Sequence, residues 1–178
     1  GPRAQIRIAA DNEQKDDVVG ALLQRHARDR VLVIGQYLEQ LQHLATIFRL
    51  PLITGQTPNV ERDRLYAAFR KGEIPHLIVS KVGNFAIDLP DANVAVQVSG
   101  TFGSRQEEAQ RLGRVLRPKS DGGPASFYSL VSADTREQEF GKKRQLFLTE
   151  QGYAYEIVAA AELLGGGSLG GQRREVRA

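Results

Sequence analysis

The chain has 178 residues, 41% hydrophobic, 25% charged and 7% aromatic, which fits one globular domain and excludes a collagenous, fibrous or wholly disordered chain. It has no Cys, so disulfides, thiolate metal sites and a cysteine nucleophile are all excluded, and the redox compartment is unreadable. A formal charge of +3 is too small to announce a nucleic-acid binder by itself, and no apolar run approaches the ~20 residues that span a bilayer.

The chain also lacks Met and starts Gly1-Pro2, the dipeptide that a cleaved affinity tag leaves behind. Residues 1–2 are therefore expected to be a tag scar on an excised piece of a larger protein. Charge is unevenly placed: Arg173, Arg174 and Arg177 against Glu175 give residues 165–178 +2, so residues 1–164 carry +1. The Gly-rich 165–178 segment is expected to be disordered, leaving 3–164 as the domain.

In chain order, residues 13–28 place Val18, Val19, Leu22, Leu23 and His26 on one helical face. Val31–Ile34 is a continuous apolar run that predicts a strand buried on both faces. Residues 37–49 repeat Leu38, Leu41, Leu44, Ala45 and Phe48 at helical spacing, and Leu52-Ile53 predicts a short strand. A helix over 57–71 is signalled by Thr57 as N-cap, Pro58 at the first position and Gly72 beyond the end. Strands follow at 76–80 and 94–98. Ser104 with Glu107 is a capping box opening a helix over 105–117, stopped by Pro118. After a strand at 126–131, Asp134 with Glu137 caps another helix ending near Gly152, and 153–158 predicts a last strand.

This alternation predicts an α/β fold, a mainly parallel sheet covered by helices on both faces. Ligands of such sheets bind at the carboxyl ends of strands. Those ends carry Gly35-Gln36, Thr54-Gly55, Ser80-Lys81 and Ser99-Gly100.

The segment SRQEEAQRLGRVLRP (104–118) concentrates the chemistry. At ~100° per residue, Gln110, Arg114 and Arg117 share a stripe about 60° wide, opposite Ala109, Leu112 and Leu116. The apolar stripe can dock on a sheet while the guanidiniums face outward, with Arg111 beside them and Gly113 allowing close approach. Arginines that converge on a rigid helix repel unless an anion lies between them, and phosphate suits the planar guanidinium fork. The bland alternative is a solvated basic face balanced by Glu107 and Glu108.

QRLGRVLR (110–117) fits Gln-Arg-x-Gly-Arg-x-x-Arg and resembles motif VI of the superfamily-2 helicases. VLVIGQYLEQL (31–41) resembles their motif IV, TGQTPNVER (54–62) the segment between motifs IV and V, and SKVGNFAIDLP (80–90) motif V. Within that superfamily, VSKVGNFAIDLPDAN (79–93), GSRQEEAQRLGR (103–114), FYSLVSADT (127–135) and KRQLFLTEQGY (143–153) are similar to the second helicase lobe of bacterial XPB-type helicases.

The resemblance implies a RecA-like three-layer αβα lobe, the C-terminal motor lobe of a cytoplasmic, nucleoid-associated 3′-to-5′ DNA helicase. ATP with Mg²⁺ would sit in a cleft against a first lobe in cis, which holds the phosphate loop and most of the Mg²⁺ contacts. No Gly-x-x-x-x-Gly-Lys-Ser/Thr and no Asp-Glu-x-His box occurs in this chain, so the isolated lobe is expected to be inactive. Arg114 and Arg117 would act as arginine fingers with Gln110 assisting, and Asp88, Gly113 and Arg111 would lie near the nucleotide. The family often has Gly two residues before that Asp, where this chain has Ala86. Gly35, Gln36, Thr54, Gly55, Ser80 and Lys81 would contact the backbone of single-stranded DNA, without regard to sequence and in a salt-sensitive way. A nuclease or repair partner fits the same resemblance, and no membrane association is expected.

Other conspicuous residues have plainer readings. His26, His43 and His76 lack metal-ligand spacing and read as ordinary helix and strand residues, with no metal site expected. Tyr128, Tyr153 and Tyr155 read as sheet or core aromatics. The rival functions are the second lobe of another superfamily-2 translocase and a partner-binding module. A free-standing nucleotide-binding protein is disfavoured because no glycine-rich phosphate loop follows any strand.

Overall fold

The computed structural model describes residues 4–80, 91–99, 116–118, 125–132, 154–165 and 174–175. In chain order these form β1 (Ala4–Ala10), α1 (Gln14–Arg25), β2 (Val31–Gly35), α2 (Leu38–Phe48), β3 (Leu52–Ile53) and α3 (Asn59–Arg70). Then come β4 (His76–Ser80), β5 (Val94–Gln97), β6 (Ser126–Ser132), β7 (Ala154–Ala159), α4 (Ala160–Leu164) and β8 (Arg174–Glu175). The strands make one sheet in the order β3-β4-β2-β5-β6-β1-β7-β8. Every pairing is parallel except β7 with β8.

The continuous apolar strands are explained by helices on both faces. Val31 and Val33 of β2 point into one core with Val18, Val19 and Leu22 of α1, Leu41 and Leu44 of α2, and Leu163 of α4. Leu32 and Ile34 point into the other, with Leu65, Tyr66 and Phe69 of α3. No strand between two such layers can afford the polar alternation of a one-sided sheet. The three-layer αβα architecture expected from the sequence is what the chain adopts.

The differences in detail have local causes. β1 lies outside the elements read from the sequence, although Ile6, Ile8 and Ala10 alternate into the first core. The polar partners of that alternation include Arg7, which is only 3% exposed between β6 and β7, so its chemistry misstates its position. α1 begins at Gln14, whose N–H donates to Asp11 Oδ1 at 2.8 Å, and it ends before His26. α3 begins after Pro58 without a side-chain cap. Thr57 is not that cap, because its hydroxyl accepts the Thr54 N–H instead. Lys71 follows α3, and Gly72 takes a φ of 79°, as expected of a glycine stop.

The larger correction concerns the arginine-rich segment. Leu116 is in a parallel bridge with Ala92, and the Arg117 N–H donates to Ala92 O at 2.9 Å. Arg117 is thus extended beside a strand start and does not continue a helix. Pro118 explains this, since the ring of a proline disfavours the α conformation in the residue before it. A single helical stripe of Gln110, Arg114 and Arg117 therefore fails at Arg117, while Leu116 is fully buried in the α3-side core as its apolar role requires. Residues 105–115 of the helix read over 105–117, and the helix read after Asp134, lie outside the described residues. In the segment expected to be disordered, Arg174–Glu175 pair antiparallel with β7. No helix among the described residues is long and apolar enough to cross a membrane.

Candidate functional site

The parallel register brings four strand ends to one edge. Ile34 is level with Val79 of β4 and Gln97 of β5, and Ile53 is level with Val79. One residue further, Gly35 pairs with Ser80, and Thr54 follows Ile53 on the same line. Gln36 and Ser99 come just beyond. From β3 to β5 this edge is three strand spacings wide, ~14 Å.

Side chains tie the edge together. The Gln36 N–H donates to Ser99 Oγ at 2.9 Å, across 63 residues of sequence. A Cβ on Gly35 would lie 2.7 Å from Leu41 Cδ2, 2.9 Å from Val98 Cγ2 and 3.0 Å from Ser99 Oγ. The glycine is thus required by packing between β2, α2 and the end of β5.

The next loop closes on itself. The Thr54 N–H donates to Thr57 Oγ1 at 2.9 Å, the Gln56 N–H to Thr54 Oγ1 at 3.1 Å, and the Thr57 N–H to Thr54 O at 3.1 Å. Those three N–H groups are occupied within the turn. A hydroxyl that accepts an N–H keeps its own proton for donation. Thr54, Thr57 and Ser99 are all in that condition.

The residues expected to carry function fall into three groups. Gly35, Gln36, Thr54, Gly55 and Ser80 are brought to the edge, with Gln36 and Gly55 exposed, Thr54 half-buried and Ser80 buried. Arg117 is 53% exposed, with its Nε 3.9 Å from Asp91 Oδ1. A pair so long and exposed is by itself worth little. Lys81, Asp88, Gln110, Arg111, Gly113 and Arg114 lie outside the described residues. Thr57, Ser99 and the exposed Tyr37 were not among the expected contacts. Ser99 stood at a strand end in the sequence, but its bond to Gln36 depends on register and had no local signal.

The histidines are more connected than their scatter suggests. His26 Nδ1 is 2.6 Å from Asp29 Oδ2 and its Nε2 is 2.7 Å from the Tyr128 hydroxyl. His76 Nε2 donates to the His26 carbonyl at 2.9 Å. The Asp29 carboxylate accepts from Nδ1, and Nε2 and the Tyr128 hydroxyl share the second hydrogen bond. Tyr128 is buried in the α1-side core, as read from the sequence.

Comparison with known proteins fixes the family. The sequence family described as the ERCC3/RAD25/XPB C-terminal helicase matches residues 3–166. The chain belongs to the XPB helicase C-terminal family. It is 58% identical over 162 residues to the DNA 3′-5′ helicase XPB of Kineococcus radiotolerans, covering 91% of this chain and 29% of that protein. It is 55% identical over 164 residues to the DNA 3′-5′ helicase XPB of Mycobacterium tuberculosis, covering 92% and 30%. The XPB-family chain thus spans under a third of these relatives. Its fold is similar to the C-terminal domain of the DEAD-box protein Dbp5, with a TM-score of 0.74 at 19% identity over 89% of this chain and 90% of that one. The fold class is therefore that of RecA-like helicase C-terminal domains.

Proposed function

We propose that this chain is the second motor lobe of an ATP-dependent 3′-to-5′ DNA helicase of the XPB type, working with a first lobe in cis. The family match over residues 3–166 carries this reading, and the row of Thr54, Ser80 and Gly35 at the carboxyl edge supports it.

On this reading ATP is the substrate and its Mg²⁺ is held mainly by the first lobe. This lobe's work is positional. Arg114 and Arg117, with Gln110 nearby, neutralise charge on the transferring phosphoryl group when the lobes close, and Asp88, Arg111 and Gly113 complete the nucleotide face. Single-stranded DNA is held by the Thr54 hydroxyl, the Gly55 N–H and the groups around Gln36 and Lys81. Such contacts track a sugar-phosphate chain without a large net charge, which reconciles a nearly neutral lobe with a DNA substrate. Closure on ATP and relaxation after hydrolysis would move that strand.

Arg114→Ala in a protein carrying both lobes tests the assignment. An arginine finger is worth ~10³–10⁵ in turnover, so DNA-stimulated ATP hydrolysis should fall by orders of magnitude with the urea midpoint unchanged. Near-normal turnover would remove Arg114 from the mechanism. The isolated lobe should hydrolyse no ATP.

A further inference from the structure

We propose that Tyr37 is a stacking residue for one base of the unpaired DNA strand, a contact distinct from the backbone grip and resting on the motor-lobe reading above. Tyr37 is 60% exposed and adjoins Leu38, itself exposed; of the large exposed hydrophobic side chains among the described residues, only Tyr37 is aromatic. Exposure alone would carry nothing, because single apolar side chains are common on surfaces. Its seat is what distinguishes it.

The backbone beneath Tyr37 is fixed on three sides. Gly35 is wedged against Leu41, Val98 and Ser99. The Gln36 N–H is held by Ser99 Oγ, and the Tyr37 carbonyl accepts the Leu41 N–H at 3.1 Å, starting α2. Tyr37 itself is extended, with φ −98° and ψ 112°. A fixed backbone spares binding the cost of ordering the main chain beneath the ring.

The position is equally specific. Tyr37 follows Gln36 directly, on the same sheet edge as the hydroxyls of Ser99 and Thr54. Hydroxyl donors for phosphates together with an aromatic face for a base make the chemistry of a single-strand site, tolerant of sequence because every base has a π-face. A duplex hides those faces in its own stack, so an unpaired strand is the occupant. Tyr66, Phe69, Phe127 and Tyr128 are buried and unavailable for that role.

The experiment compares wild type, Tyr37→Ala and Tyr37→Phe in a protein carrying both lobes. Strand binding is read by fluorescence anisotropy on an intact oligonucleotide and on one made of abasic sites. Tyr37→Ala should weaken binding to the intact strand about tenfold, Tyr37→Phe should leave it unchanged, and wild type and Tyr37→Ala should be indistinguishable on the abasic strand. Equal binding of the intact strand by wild type and Tyr37→Ala overturns the proposal. An equal loss on the abasic strand also overturns it, because the contact would then be to the backbone. Loss of DNA-free ATP hydrolysis in Tyr37→Ala with strand binding intact overturns it in favour of a contact within the protein. If wild type binds neither strand, the motor-lobe reading itself fails, which is a separable outcome.

Discussion

The two ends of the sheet spend their polar groups differently. At the amino end, Tyr128, His26, Asp29 and His76 bond to one another, and the His26 and Tyr128 rings lie 5.4 Å apart. That knot joins the end of α1 to β6 and to the start of β4, and its hydrogen bonds are used up in holding them. At the carboxyl end, Ser99, Thr54 and Thr57 also fix the backbone, but each does so by accepting an N–H. Their own protons are kept for a further partner, and Tyr37 stands exposed on the same edge. The same hydrogen-bonding groups close one end and leave the other receptive, which is where a parallel sheet binds ligands.

The largest expected effect tests the closed end. His26→Ala removes two hydrogen-bonding ring nitrogens and leaves the Tyr128 hydroxyl and the Asp29 carboxylate without their ring partner. Losing two part-buried hydrogen bonds costs about 3 kcal/mol, read as a lower urea midpoint at unchanged slope. Strand binding by the folded protein should not change. A matching loss of DNA binding would show that the amino end is not merely structural.

Gly35→Ala should come next, at about 2 kcal/mol, because its Cβ would press on Leu41, Val98 and Ser99. Unlike His26→Ala, it should also weaken strand binding, since relief of the clash displaces Gln36 and Tyr37. Stability loss without any change in binding would separate the loop from the DNA track.

The layer architecture was legible because Val31–Ile34 and its counterparts are apolar at every position, a pattern that only a doubly covered strand needs. What stayed hidden was non-local or locally contradictory. β1 carries an arginine that is nearly buried, and no periodicity rule admits that. The Arg117 position was misread by extending a helical stripe up to a proline, although the residue before a proline rarely stays helical. The motifs named the family from residue types and order, but the Gln36–Ser99 bond joins residues 63 apart. Its existence follows from β2 and β5 being neighbours, which no stretch of sequence states.

Ser99→Ala is the milder test of the receptive end. It removes one hydrogen bond to a backbone N–H and should cost about 1 kcal/mol. Its DNA effect should resemble that of Tyr37→Ala but be smaller, because the ring remains and only its seat loosens. The diagnostic is combination: if Ser99 acts through Tyr37, adding Ser99→Ala to Tyr37→Ala should weaken binding by less than the product of the two single losses. Independent losses would mean that the Ser99 hydroxyl contacts the strand itself.

The smallest effect belongs to α3, which begins beside the receptive end. Arg64 donates to Glu61 from Nε at 3.0 Å and from Nη2 at 2.6 Å, and this hydrogen bonding, more than the charge itself, holds the Glu61 carboxyl below its ordinary range. A lowered folded-state value contributes stability above the unfolded value and loses it as pH falls through the folded one. Any contribution is therefore absent on the acid side and present at neutral pH. Both side chains are exposed, so water screens the pair. Glu61→Gln should accordingly leave the urea midpoint unresolved from wild type at neutral pH and in acid alike. It should also leave strand binding unchanged, because the glutamine oxygen still accepts from Arg64. Tighter strand binding in this variant would mean that Arg64, once released, reaches the DNA, and the receptive end would then extend from the strand ends onto the first turns of α3.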